Sequence, residues 1–207
     1  MKIAIFGATG KTGIEVVKQA LDQGHQVTVM MRDASRLPSF SKEVTIITGD
    51  FSNLDAVKTT VRGQDAVVCT LGSNELYKNS GFRAFATDKI IAAMKDGGTT
   101  RLVVMSSMGI GESWHGLPLF TKALFKLVMP AARADHEAQE KVVKESQLDW
   151  TIIRPSGLTN VPNVSTYDFG KDIKPKTSRI SRANVADLIL KVIDSNAHVH
   201  ESLTISN

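Results

Sequence analysis

Gly7, Gly10 and Gly13 stand three residues apart directly behind the apolar run Ile3-Ala4-Ile5-Phe6. That spacing suits a turn that cradles the pyrophosphate of a dinucleotide. Gly7 permits the sharp exit from a strand, Gly10 lets backbone approach the pyrophosphate, and Gly13 lets the following helix pack close to the sheet. The first N–H groups of that helix then face the phosphates. A Walker-type phosphate loop needs four residues between its first glycine and a Gly-Lys-Ser/Thr group, so Lys11-Thr12 only imitates its ending.

Other candidates follow the later apolar runs. Arg32 comes directly after Val27–Met31, where an acidic residue would bind the ribose 2′-hydroxyl of NAD and an arginine accommodates the 2′-phosphate of NADP. A guanidinium grips phosphate through two parallel hydrogen bonds, and Arg36 lies one turn on to assist. The expected cofactor is therefore NADP, with NADPH preferred over NADH. Asp33 is the counter-argument, although it falls beyond the strand end and can instead cap a turn at Ser35. Asp50 has two readings as well: it accepts from the adenine amine with Phe51 beside the ring, or it caps a turn before Asn53. Further along, Leu71-Gly72 lets backbone approach the cofactor's ribose and phosphates.

Ser106 and Ser107 place hydroxyls beside the nicotinamide and the substrate, and the backbone at Pro155 is placed for the carboxamide. Ser107, orienting the acceptor or relaying a proton, and Ser156, supporting it, are the candidate catalytic residues. The single cysteine, Cys69, lies in an apolar run. It excludes a disulfide framework and a cysteine-based zinc site, and it reads as a buried, inert thiol. No metal site is expected.

These positions require elements to hold them. The spacing predicts strands at Ile3–Phe6, Val27–Met31, Val44–Thr48, Ala66–Thr70, Leu102–Ser106 and Trp150–Arg154. It predicts helices at Lys11–Gln23, Asn53–Arg62, Phe82–Lys95 and His136–Ser146, each with apolar residues three and four apart. The first helix carries Ile14, Val17, Ala20 and Leu21 on one stripe and stops near Gly24. Alternation of this kind specifies an α/β fold, a Rossmann-type doubly wound parallel sheet of order 3-2-1-4-5-6, with ligands at the carboxyl ends where the order reverses. Ser181–Asp194 reads as a core-facing helix with a serine cap, and Leu203–Ile205 as a short C-terminal strand. Gly109–Ala132 is less regular: it reads as a helix ended by Pro130 or as a cover over the site.

With 207 residues, 42% hydrophobic and 22% charged, the chain fits a single domain, 1–207, with small substrate-covering parts near 109–132 and 157–182. No apolar stretch approaches the length of a membrane span, and the first strand lacks a signal peptide's basic flank, so a soluble, cytoplasmic protein is expected. The net charge of +4 does not imply a nucleic-acid partner, because lysine and arginine are scattered and no aromatic platform interleaves with them. A monomer is the default, since no long exposed apolar helix pair advertises a dimer face.

Taken together, Gly7-x-x-Gly10-x-x-Gly13, Arg32-Asp33, Gly49-Asp50, Leu71-Gly72, Ser106-Ser107, Trp150–Pro155 and Ser181–Leu190 resemble the atypical short-chain dehydrogenase/reductases. The likeness covers essentially the whole chain and points to the flavin reductase/biliverdin reductase B group, with NmrA-like sensors as relatives. It implies cofactor roles for Gly7, Ala8, Thr9, Gly10, Lys11 and Thr12, for Arg32, Arg36, Asp50 and Phe51, and for Leu71 and Gly72. It also implies a substrate-side hydroxyl at Ser107.

Two departures stand out. No Tyr-x-x-x-Lys pair follows the fifth strand, where the tyrosine of typical members protonates a developing alkoxide. Tyr167 and Lys171 have the spacing but come after the sixth strand, as a coincidental loop pair. Ser156 stands where the biliverdin reductase B group has histidine. His136 matches a histidine of that group and is placed either to approach the cofactor or to act as a cap or surface residue. His25, His198 and His200 read as solvent-exposed. The expected activity is hydride transfer from NADPH to a flavin, quinone or similar conjugated acceptor; the alternative is a non-catalytic NADP-binding redox sensor.

Overall fold

The computed structural model describes residues 1–40, 42–72, 81–114, 130–162, 164–171, 173 and 177–207. Its first strands are β1 (Lys2–Phe6), β2 (Gln26–Met31), β3 (Thr45–Thr48), β4 (Ala66–Cys69), β5 (Arg101–Met105) and β6 (Asp149–Pro155). They pair in parallel in the order β3-β2-β1-β4-β5-β6, as the apolar runs predict. The expected final strand is β10 (Glu201–Ser206), which continues the sheet in parallel beside β6. Beyond it, β8 (Asp168–Gly170) pairs antiparallel with β10. A separate small sheet joins β7 (Gly157–Thr159) to β9 (Arg179–Ser181).

Both faces of the sheet are covered, which is why its central strands read as unbroken apolar runs. The pleat divides β1 between two cores. Ile3 and Ile5 pack with Val16, Val17 and Leu21 of helix α1 (Lys11–Asp22) and with Val185, Leu188 and Ile189 of α5 (Arg182–Asp194). Ala4 and Phe6 share the opposite core with Val57 of α2 (Leu54–Val61), Ile90 and Met94 of α3 (Phe82–Gly97) and Val143 of α4 (Pro130–Lys144). Helix α4 is described from Pro130, six residues before the predicted start. Pro130 is therefore itself helical, and the residues it was expected to close off, 115–129, lie outside the described residues.

At the amino ends of the strands one cation does the fastening. Arg101 is 5% exposed; its Nη1 donates to Asp149 O at 2.8 Å and Thr151 Oγ1 at 2.9 Å, and its Nη2 to Val192 O at 2.8 Å and Ala197 O at 3.1 Å. Four donated bonds offset the cost of burying the charge, and they tie β5 and β6 to the end of α5. The opposite, carboxyl ends are left for the site.

Candidate functional site

Leaving β1, the chain turns at Gly7, whose φ of +92° belongs to the left-handed region. A side chain there would also meet the backbone: a Cβ on Gly7 would sit 2.8 Å from the carbonyl of Thr70. At Gly13 an added Cβ would lie 2.1 Å from Gly7 O, so α1 starts closer to the strand than any side chain allows. Gly10 caps α1 without a side-chain hydrogen bond, and no acidic residue occupies the first turn. The leading N–H groups of the helix have no acceptor within it, and the macrodipole adds positive potential at the same point. Ala8 and Thr12 are buried beneath the turn, while Gly10 and Lys11 are exposed, with Thr9 between. This concave, anion-seeking backbone fits a pyrophosphate.

Arg32 and Arg36 are both exposed beyond the end of β2. Asp33 Oδ1 accepts from Ser35 N at 3.0 Å and Ser35 Oγ at 2.7 Å, which is the turn-capping role; those bonds hold its carboxyl below the usual pKa. Asp50 does likewise, accepting at Oδ1 from Ser52 N at 2.8 Å and Ser52 Oγ at 2.5 Å. Its pKa is lowered by those bonds first and by the charge of Arg32 last. Phe51 packs tilted on Phe6 and edge-on against Phe82, with ring centroids 5.7 and 5.8 Å away.

Beside the turn, Thr70 N donates to Phe6 O at 2.9 Å and leads into Leu71 and Gly72; a Cβ added at Gly72 would meet nothing within 4 Å among the described residues. On the next strands, Ser106 N donates to Ile153 O at 2.7 Å and Met108 N to Pro155 O at 2.9 Å. The tips of β5 and β6 are thereby clasped. Ser106 and Ser156 are 3% and 4% exposed, and neither hydroxyl has a partner among the described residues. A buried hydroxyl without a bond is costly, so two of them on neighbouring strand tips are an observation that a ligand with hydrogen-bonding groups would explain. Ser107 is partly exposed and its Oγ donates to Met108 O at 3.2 Å.

The pair Tyr167 and Lys171 is split apart. Tyr167 donates its hydroxyl to Asp187 and receives a bond from Lys191 at 3.3 Å, whereas Lys171 pairs with Glu201 at 2.7 Å. Burial and then Asp187 raise the Tyr167 pKa, opposite to what an acid catalyst needs. Of the histidines expected in solvent, His200 is exposed, with a ring nitrogen 3.0 Å from Leu148 O, whereas His25 and His198 are partly buried, His25 facing Asp194 at 3.5 Å and His198 binding Glu201 at 2.7 Å. His136 is neither a cap nor a surface group. Its Nδ1 is buried with no hydrogen-bond geometry met among the described residues, and burial, then the charge of Arg83, push its pKa down to about 4, opposed by Asp135 and Gln139. Most of the expected cover near 109–132 lies outside the described residues.

Sequence reasoning missed a buried ionic knot behind the site. Arg154, 2% exposed, donates from Nε and Nη2 to Glu140 at 2.9 and 2.6 Å and from Nη2 to Glu112 at 2.7 Å. Asp135 is a second case, accepting from Arg83 N and Arg83 Nη1 at 3.2 and 3.0 Å. The available signal was Arg154 itself, a charge inside the apolar strand Ile152-Ile153-Arg154-Pro155.

A doubly wound sheet with a glycine turn before α1 defines a dinucleotide-binding domain of Rossmann type. The chain belongs to the NAD(P)H-binding family, whose model matches residues 7–196. It is 30% identical to the Bacillus subtilis (strain 168) protein YwnB, over 99% of this chain and 98% of that one. Among solved structures, a short-chain dehydrogenase/reductase from Veillonella parvula in complex with NADP has the same fold, with a TM-score of 0.83 at 22% identity over 100% of this chain and 94% of that one. So does ChuY, an anaerobillin reductase from Escherichia coli O157:H7, with a TM-score of 0.82 at 23% identity, covering 100% and 97% of the two chains. Among the described residues no helix is long and apolar enough to cross a membrane.

Proposed function

We propose that this protein is an NADPH-dependent reductase that delivers hydride to a flavin, quinone or similar conjugated acceptor. The observation that carries the reading is the chemistry of the strand tips: serines at 106, 107 and 156, with Tyr167 committed to Asp187 and away from them. Such acceptors take up added charge within their own ring system, so the protein need only stack and orient them.

The glycine turn and Thr12 would hold the pyrophosphate. Arg32 and Arg36 would grip the 2′-phosphate, and Asp50, with Oδ1 spent on Ser52, would offer Oδ2 to the adenine amine. Leu71 and Gly72 would admit the ribose, and Ser106, Pro155 and Ser156 would face the carboxamide end. The bound cofactor supplies the hydride. Ser107, the partly exposed member of its pair, orients the acceptor or relays its proton. The reductase named among the solved relatives and the NADP-bound neighbour support this assignment. The test is purified protein with NADPH and FMN, riboflavin or a quinone: acceptor-dependent loss of nicotinamide absorbance supports the reading, and none with any acceptor removes it.

A further inference from the structure

A groove of about 230 Å³ lies beside the glycine turn, with Lys11, Ile14 and Glu15 of α1 on one wall and Asn160, Pro162 and Arg182 on the other. Both walls are fastened. The pairing of β7 with β9 ends at Thr159 opposite Ser181, so Asn160 and Arg182 leave that small sheet side by side, and Arg182 Nη1 donates to Asn160 Oδ1 at 2.7 Å. Gln19 Nε2 donates to Ala183 O at 3.0 Å and joins α1 to the first turn of α5. Ser165 N donates to Asn184 Oδ1 at 2.8 Å, which pins the chain beyond Pro162 to the same helix.

The lining sets two cations against one carboxylate, Glu15. Neither Lys11 nor Arg182 forms an ion pair among the described residues. The Arg182 guanidinium spends one N–H on Asn160, and its remaining donors can grip an anion through parallel bonds. Two cations converging on one concavity raise the local concentration of anions there. In a doubly wound sheet the dinucleotide crosses the switch point between β1 and β4, with the adenosine half over β2 and β3, where Arg32 stands. The groove opens on the other side of α1, toward α5, which Arg101 of β5 ties to the β5/β6 side of the sheet. Its far wall continues from Ser156 through β7: four extended residues at ~3.3 Å each keep Asn160 within about 13 Å of Ser156. The N–H groups of the glycine turn already serve the pyrophosphate, so the anion left for Lys11 and Arg182 belongs to the acceptor.

We propose that Lys11 and Arg182 form a subsite for a phosphate or carboxylate carried by the acceptor, so that the preferred acceptors are anionic conjugated molecules; the inference rests on the reductase reading above. Calorimetric titration of the NADP-saturated protein with FMN, and with riboflavin, which lacks only the phosphate, tests it without turnover. FMN binds about tenfold more tightly than riboflavin, the effect of a hydrogen bond to a charged group. Arg182→Gln removes most of that preference while riboflavin and NADP affinities stay unchanged, and Arg182→Lys, which keeps the charge, retains part of it. Lys11→Gln, at an exposed position, lowers the preference as well. Equal affinity for the two flavins in the wild-type protein, or a preference that survives Arg182→Gln, overturns the proposal. So does a loss of NADP affinity in Arg182→Gln with the flavin preference intact, which assigns the groove to the cofactor's pyrophosphate. A wild-type protein that binds NADP and neither flavin overturns the flavin reading and this proposal with it.

Discussion

In the proposed reading Arg32 carries the cofactor choice. An exposed guanidinium beyond β2 can form charge-assisted bonds to a 2′-phosphate, and NADH offers it only a hydroxyl. Arg32→Ala is expected to weaken NADPH by about ten- to a hundredfold, in line with hydrogen bonds to charged groups, and NADH by less than about threefold. Fluorescence titration of both cofactors checks it. Gly13 is constrained by sterics: with Gly7 O 2.1 Å from the position of a Cβ, Gly13→Ala must push α1 off the strand. A loss of about 1–3 kcal/mol in urea unfolding is expected, the usual cost of overpacking. The turn at Gly7 and Gly13 was readable because glycines directly behind an apolar strand have few other uses there. Asp33 and Asp50 were not decidable from sequence, since a turn cap and a ribose or adenine contact ask for the same carboxylate; the structure shows each of them capping its turn.

Helix α4 is where reading by periodicity falls short. Its buried face is Ala131, Ala132, Asp135, Gln139, Glu140 and Val143, mostly small or polar, so the apolar stripe that locates α1 or α5 is missing from its first turns. The polar residues are buried because each finds a partner on another element: Asp135 on α3, Gln139 near β4, Glu140 on β6. Those partners are distant in sequence. Breaking the pair that Glu140 forms with Arg154, both nearly sealed from solvent, leaves that buried charge with the exposed Glu112 as its remaining carboxylate partner. Glu140→Gln should cost about 3–5 kcal/mol in chemical denaturation. Glu112, on the exposed side of the knot, has its carboxyl pKa lowered from 4.5 to about 2, first by its own backbone N–H and then by Arg154. A depressed folded-state value means that its contribution is complete above about pH 4.5 and is lost as pH falls toward 2. Acid unfolding of Glu112→Gln should lack that part of the slope.

At the scale of the molecule, the strand order and the cover of helices on both faces were legible because a sheet covered on both faces needs continuous apolar strands. The antiparallel β8 and the small β7/β9 sheet were not, being three residues each and without a repeating pattern. A molecule whose carboxyl-end surface is built for a dinucleotide should be stabilised by it: at a hundred times the dissociation constant, NADPH should add about 2.7 kcal/mol to unfolding stability, and an unchanged melting temperature would contradict this. The most direct test is a steady-state assay of NADPH and NADH oxidation against FMN, riboflavin and a quinone. We expect acceptor-dependent oxidation with kcat/KM for NADPH at least about tenfold above that for NADH, a difference of ~1.4 kcal/mol. No oxidation with any acceptor, or equal efficiency with both cofactors, would contradict the account.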